Sequence, residues 1–149
     1  MRKLLLGVII TLFGTITYAQ NTISLGADIL SPSISGEFEL SERASVRMDF
    51  GFIFSSSSVI TLNPQLHFHK TENSYELENV GIIMPYHGPG LLIGINDSDT
   101  NTAIEFVWGF ELDLYEFPIE VFVDAGPSFL LDDPNALSLT SSFGVRYKF

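Results

Sequence analysis

Apolar and polar residues alternate one by one along most of this chain. The clearest run is the last one, where Phe143, Val145, Tyr147 and Phe149 are interleaved with Gly144, Arg146 and Lys148. A period of two is that of a β-strand with one apolar and one polar face. Runs of the same kind cover 23–29, 34–40, 44–54, 60–69, 104–114 and 119–129, and the last one begins near Leu137 and Leu139. A further strand is expected within 80–95, where Pro85, Gly88, Pro89 and Gly90 interrupt the pattern. Proline lacks a ladder donor, so a bulge or kink is expected there. The total is eight strands.

Turn formers punctuate these runs. Ser41-Glu42-Arg43 and Glu116-Phe117 read as tight turns. Ser31-Pro32-Ser33, Ser55 to Ser58, Asn96 to Asn101 and Asp132 to Asn135 read as four short loops. The predicted fold is all-β: an eight-stranded, antiparallel, up-and-down barrel with both ends of the chain at the tight-turn end.

Such an alternation can face either way. A soluble carrier keeps its apolar face inside, whereas a transmembrane barrel keeps it outside. The apolar face here carries Phe38, Phe50, Phe52, Phe54, Phe68, Phe106, Trp108, Phe110, Phe129, Phe143, Tyr147 and Phe149. The lumen of eight strands is only wide enough for side chains to fill. Those aromatics would crowd it; the Gly, Ser and charged residues of the other face would fit. The pattern therefore predicts a transmembrane barrel, and most runs reach the ~9–11 residues a tilted crossing needs.

The start of the chain agrees. Arg2 and Lys3 precede an apolar run from Leu4 to Ile16, and Thr17-Tyr18-Ala19 supplies a small-x-small site. A cleaved signal peptide is expected over 1–19, with the barrel over 20–149. The apolar run is short of the ~20 residues of a spanning helix. There is no Cys, hence no disulfide, no thiolate metal site and no lipid acceptor. The mature part has five basic against 18 acidic residues, a net of −13. That balance argues against nucleic acid as a partner, since nothing could neutralise its phosphates.

The inward-facing acids are expected to be Asp28, Glu37, Glu39, Asp49, Glu105, Glu111, Asp113, Glu120 and Asp124, against the bases Arg47, Arg146 and Lys148. A hairpin centred on Glu42 sets Glu37 opposite Arg47. One centred near Pro134 sets Glu120 opposite Lys148, with Arg146 diagonal to Glu120 and Asp124. Opposite charges across strands attract, and pairing offsets the desolvation of a narrow lumen. The expectation is a salt-bridged plug built from Glu37, Arg47, Asp49, Glu111, Asp113, Glu120, Asp124, Arg146 and Lys148. The other reading of the same acids is a cation-attracting pore.

The alternation, the Gly-Val-Arg-Tyr-Lys-Phe ending and the N-terminal leader resemble small outer-membrane β-barrel proteins of the OmpA/OmpX type. The stretch Pro85 to Gly90, with Glu116 to Phe122 and the same ending, is similar to one uncharacterised family of such barrels. The resemblance implies residence in the outer membrane, with both termini periplasmic and lipid as the surrounding partner. It also implies that the barrel-assembly machinery reads the terminal aromatics Tyr147 and Phe149 during biogenesis.

The remaining chemistry is sparse. His67 and His69 share an inward face with Gln65, and an i, i+2 pair of histidines can bind a metal with a third ligand. The plainer reading is two polar lumen residues, and no metal or other cofactor is predicted. Lipid A deacylases and acyltransferases need a Ser beside a His at the outer surface. Neither His67-Phe68-His69 nor His87-Gly88 supplies one locally. Trp108, Tyr86, Tyr115 and Tyr147 are candidates for aromatic girdles, but only Tyr115 and Tyr147 fall near strand ends, and Trp108 falls mid-strand, as a lipid contact would. The expected role is that of a structural or surface-interaction membrane protein, a monomer without catalytic residues. A lipid-modifying enzyme and a soluble periplasmic lipocalin-like carrier are the alternatives. No pattern specifies an extracellular ligand, and the short loops offer a partner little area.

Overall fold

The computed structural model describes residues 22–30, 32–53, 59–96, 99–131 and 136–149. The expected 1–19 leader, Phe54 and the loop segments 55–58 and 132–135 lie outside them. Each alternating run forms a strand: β1 (Ile23–Asp28), β2 (Ser33–Ser41), β3 (Ala44–Ile53), β4 (Val59–His69), β6 (Gly81–Ile95), β7 (Thr100–Leu114), β8 (Ile119–Leu130) and β9 (Leu137–Lys148). A short strand, β5 (Tyr75–Leu77), follows a 3-10 turn at Thr71–Asn73. Asn79 then takes a positive φ of 62°, a conformation Asn tolerates well, and returns the chain into β6.

Neighbouring strands pair antiparallel in chain order. The sheet closes where β4 meets β6 and β1 meets β9. Eight strands form the ring, and β5 merely extends the start of β6. Closure leaves the ring no open edge. One end holds the turn between Ser41 and Ala44, the Tyr115–Pro118 turn and both ends of the ring; there Phe149 N donates to Ile23 O at 2.9 Å. β1 is shorter than its neighbours for a local reason. The Asp28 carboxylate accepts from Leu30 N at 2.9 Å, a side-chain turn that ends the strand.

The β2–β3 register sets Glu37 opposite Arg47, as the Glu42-centred turn predicts. The last hairpin differs from expectation. Glu120 is opposite Arg146, not Lys148, and Asp124 is opposite Ser142. The hairpin centre lies one residue earlier than Pro134, which moves every pair by two. A slip of two leaves each side chain on its face.

β6 also departs from expectation. It runs 15 residues and pairs with β7 without interruption, so its prolines and glycines introduce no bulge on that side. Against β4 the register is constant, but four pairs are missing; two of them would involve Pro64 and Pro89. Pro127 likewise falls in a gap of the β7–β8 ladder. Each proline removes a rung without shifting the strands.

The polar face points into the ring. Arg47, Arg146, His67, Glu105, Ser35 and Ser45 are at most 1 % exposed. The apolar face points out: Ile34, Trp108, Phe110, Phe129 and Leu139 are all at least half exposed. Tyr86, a girdle candidate by residue type, is an interior residue 2 % exposed. Inward glycines make room for the large interior rings. A Cβ on Gly109 would lie 2.5 Å from Tyr86 Cζ, and one on Gly144 would lie 2.4 Å from Phe122 Cζ. Replacing Gly144 with Ala should therefore overpack the interior and cost about 1–3 kcal/mol. Urea unfolding followed by the fluorescence of Trp108, the single tryptophan, would measure it; an unchanged midpoint would show that Phe122 and the Ala27 carbonyl, which lies closer still to such a Cβ, both give way freely.

Candidate functional site in the barrel interior

Strand alternation delivers charged side chains from β1, β2, β3, β7, β8 and β9 to one narrow space. Its organisation is not that of adjacent pairs. Glu37 and Arg47 are backbone neighbours, yet each finds its ion partners elsewhere. A long guanidinium reaches across a lumen this narrow, so the cross-strand register does not decide its partner.

Arg47 organises the half toward the four loops. Its Nε donates to Asp49 Oδ1 at 2.9 Å, and its Nη1 to Asp124 Oδ2 at 2.7 Å. Its Nη2 donates to Ser142 Oγ at 2.7 Å, and that hydroxyl donates on to Asp28 Oδ2 at 2.5 Å. Tyr86 Oη adds a further donor to Asp124 Oδ2 at 2.6 Å. The planar fork of five N–H donors is what lets one Arg hold several oxygens at once.

Arg146 organises the half toward the chain ends. It pairs closely with Glu37 and Glu120, and its Nη2 donates to Glu111 Oε1 at 2.8 Å. Lys148 lies beyond, 2.5 Å from Asp113 and 3.1 Å from Glu120. The predicted association of Arg146 with Asp124 is replaced by that of Asp124 with Arg47. Glu37, Arg47, Asp49, Glu111, Asp113, Glu120, Asp124, Arg146 and Lys148 each make at least one ion pair.

Phe122 joins the halves. The guanidinium carbons of Arg47 and Arg146 lie 4.1 and 4.4 Å from its ring centre. A π face attracts a cation most when both are desolvated, and Phe122 has no exposed surface. An apolar residue on the polar face thus bridges two like charges. Its inward position is legible in the alternation of β8, but its contact with both arginines is not.

His67, Gln65 and Tyr86 form a third group. Gln65 Nε2 donates to Glu105 Oε1 at 2.8 Å, and Gln65 Oε1 meets His67 Nε2 at 2.8 Å. The His67 ring stacks on Tyr86 with centres 4.3 Å apart. His69 sits beside Glu37 and Glu111, at 3.8 and 3.3 Å. The sequence places both histidines inward, but it does not show that Glu37 and Glu111 meet them.

Two cavities flank this layer and share no lining residue. The one toward the chain ends, of about 310 Å³, is lined by Glu37, Glu39, Glu42, His69, Glu111, Glu120 and Lys148 among others. The one toward the loops, of about 340 Å³, is lined by Asp28, Asp49, Asn63, Glu105, Asp124 and Ser142 among others. Arg47, Arg146, Phe122, Tyr86 and His67 line neither. Outside the ring, Tyr147 and Phe149 are 47 % and 74 % exposed, with ring centres 4.9 Å apart.

Compared with known proteins, the chain matches no family model and no curated sequence.

Removing Arg146 would strand the buried carboxylates of Glu37, Glu111 and Glu120. Arg146→Met should cost about 3–5 kcal/mol, because a buried charge without its partner is far costlier than an exchanged pair. Adding Glu37→Gln and Glu120→Gln to that variant should restore part of the loss. The urea midpoints of the three proteins give the comparison, and equal midpoints for Arg146→Met and the parent would mean the carboxylates are protonated or solvated.

Proposed function

We propose that this chain is a small integral outer-membrane β-barrel with an occluded, charge-paired lumen and a structural or surface-interaction role. The observation that carries the reading is the inverted distribution of polarity. A closed barrel exposes a band of Phe, Trp, Leu and Ile while burying Arg, Glu and Asp, which is stable where the surroundings are hydrocarbon. On this reading 1–19 is a cleaved leader, and the ring's ends and tight turns face the periplasm. Tyr147 and Phe149 then present the aromatic ends read by the assembly machinery. A ring without a free edge supports a monomer.

The interior favours this reading over its two rivals. A soluble carrier needs an apolar cavity, and the cavities here are lined by carboxylates. A surface acyl hydrolase needs a nucleophile near an outward His. The strand neighbours of His87 are Phe68 and Trp108, and the rings of Phe68 and Phe106 lie 6.0 Å from it. The layer between the cavities supports a plug rather than a conducting pore.

The expected result of cell fractionation is recovery with the outer membrane, released only by detergent, with a faster band on unheated than on heated SDS gels. Recovery from the periplasm without detergent would refute the proposal. In planar bilayers the purified protein should show no steady conductance, whereas regular single-channel steps would favour the pore.

A further inference from the structure

We propose that the lumen near the chain ends holds a divalent transition-metal ion of the zinc class, bound by Glu37, His67, His69 and Glu111. The hydrogen bonds fix which ring nitrogens are free to ligate. Gln65 Nε2 donates to Glu105, so Gln65 Oε1 faces His67 Nε2. An amide oxygen only accepts, so His67 carries its proton on Nε2. Ser45 Oγ gives its hydrogen to Glu37 Oε1 and lies 2.9 Å from His69 Nε2. That hydroxyl can then only accept, so His69 also carries its proton on Nε2.

In the neutral form each ring is left with a bare Nδ1, and neither Nδ1 has a hydrogen-bond partner among the described residues. Both point at carboxylate oxygens. His67 Nδ1 is 3.7 Å from Glu37 Oε1, and His69 Nδ1 is 3.3 Å from Glu111 Oε2. Two lone pairs facing each other in a buried cluster call for a positive charge between them. Donors held about 2.0–2.2 Å from one tetrahedral zinc lie roughly 3.3–3.6 Å apart. The His69–Glu111 gap falls in that range and the His67–Glu37 gap just above it.

The rest of the site fits an ion. One atom each of Glu37, His69 and Glu111 lie within 4.8 Å of one another. Glu111 offers Arg146 its Oε1 and His69 its Oε2; Glu37 offers Arg146 its Oε2 and the histidine side its Oε1. The guanidinium therefore orients the carboxylates from behind, as outer-shell partners of metal ligands do. Charge agrees too. Glu37, Glu111, Glu120 and Asp113 face two fixed cations, Arg146 and Lys148, and the rings of His67 and His69, which add no charge in their neutral form. Two negative charges are left over, which one divalent cation balances. Imidazole with carboxylate suits zinc and its neighbours better than calcium or magnesium. The cavity at this end, with Glu39 and Glu42 on its wall, gives access. Bound there, the ion would tie β2, β4 and β7 together across the lumen.

The test uses the purified, folded chain stripped with a chelator. Titration calorimetry with zinc chloride should show one ion per chain. Cobalt(II) should give the visible absorption of a four-coordinate site, and zinc should move the Nδ1 resonances of two histidines in 15N NMR. His67→Gln and His69→Gln should each weaken zinc binding by about tenfold or more, with Glu42→Gln unchanged. Absence of saturable binding overturns the proposal. So does zinc binding no tighter than calcium, or equal zinc affinity in both His variants and the parent. Should the variants fail to fold, the NMR of the parent decides: histidine resonances unmoved by zinc, or doubly protonated rings at pH 7, refute the site.

Discussion

Two fully buried guanidinium groups set the terms for the rest of this barrel. Each must be met by carboxylates, because an unpaired charge there costs several kcal/mol. Each reaches its partners only if β3, β8 and β9 stand in one register. Phe122 supplies what charge alone cannot, a π face against both cations. The inward glycines follow from the same demand: Gly109 and Gly144 leave room for Tyr86 and Phe122, and the ring can then close around a layer of long side chains.

The polar layer sets the form of the outer surface as well. With the interior committed to charge, the apolar residues have only the outside to occupy. The band of exposed Phe, Leu, Ile and Trp is therefore the counterpart of the plug rather than a separate feature. A protein built this way has little hydrophobic core of its own; Tyr86, Ala103, Val107 and Phe122 are its buried apolar residues among those described. Its cohesion rests on the closed backbone ladder, the ion pairs and whatever covers the outer face.

Much of this was legible before any coordinates. Strand positions, strand number and the facing of Arg47, Glu120 or Arg146 follow from a period of two, which backbone geometry enforces. The Glu37–Arg47 register follows from a short turn. Less was legible where distance across the lumen matters. Arg47 meets Asp124 rather than its neighbour Glu37, and no local rule foresees that. The inward facing of Tyr86 is hidden because Pro85 and the following glycines blur the alternation of β6. The Glu120–Arg146 register turned on a loop centre one residue from the position expected. The pair of inward histidines was visible, whereas the two glutamates beside them come from strands distant in the chain.

The span of the interior contacts bears on how such a chain can reach its final state. Arg47 bonds to residues 77 and 95 positions away, and Glu37 is held by a residue of the last strand. Contacts so far apart in sequence form late and slowly. Until β9 docks on β1, half of the ionic layer has no counterpart, and a partly built sheet would carry bare charge on one face and grease on the other. Closure and neutralisation are then a single event. A chain of this kind has no comfortable halfway form: until the final strand arrives, both faces of the growing sheet stand uncompensated.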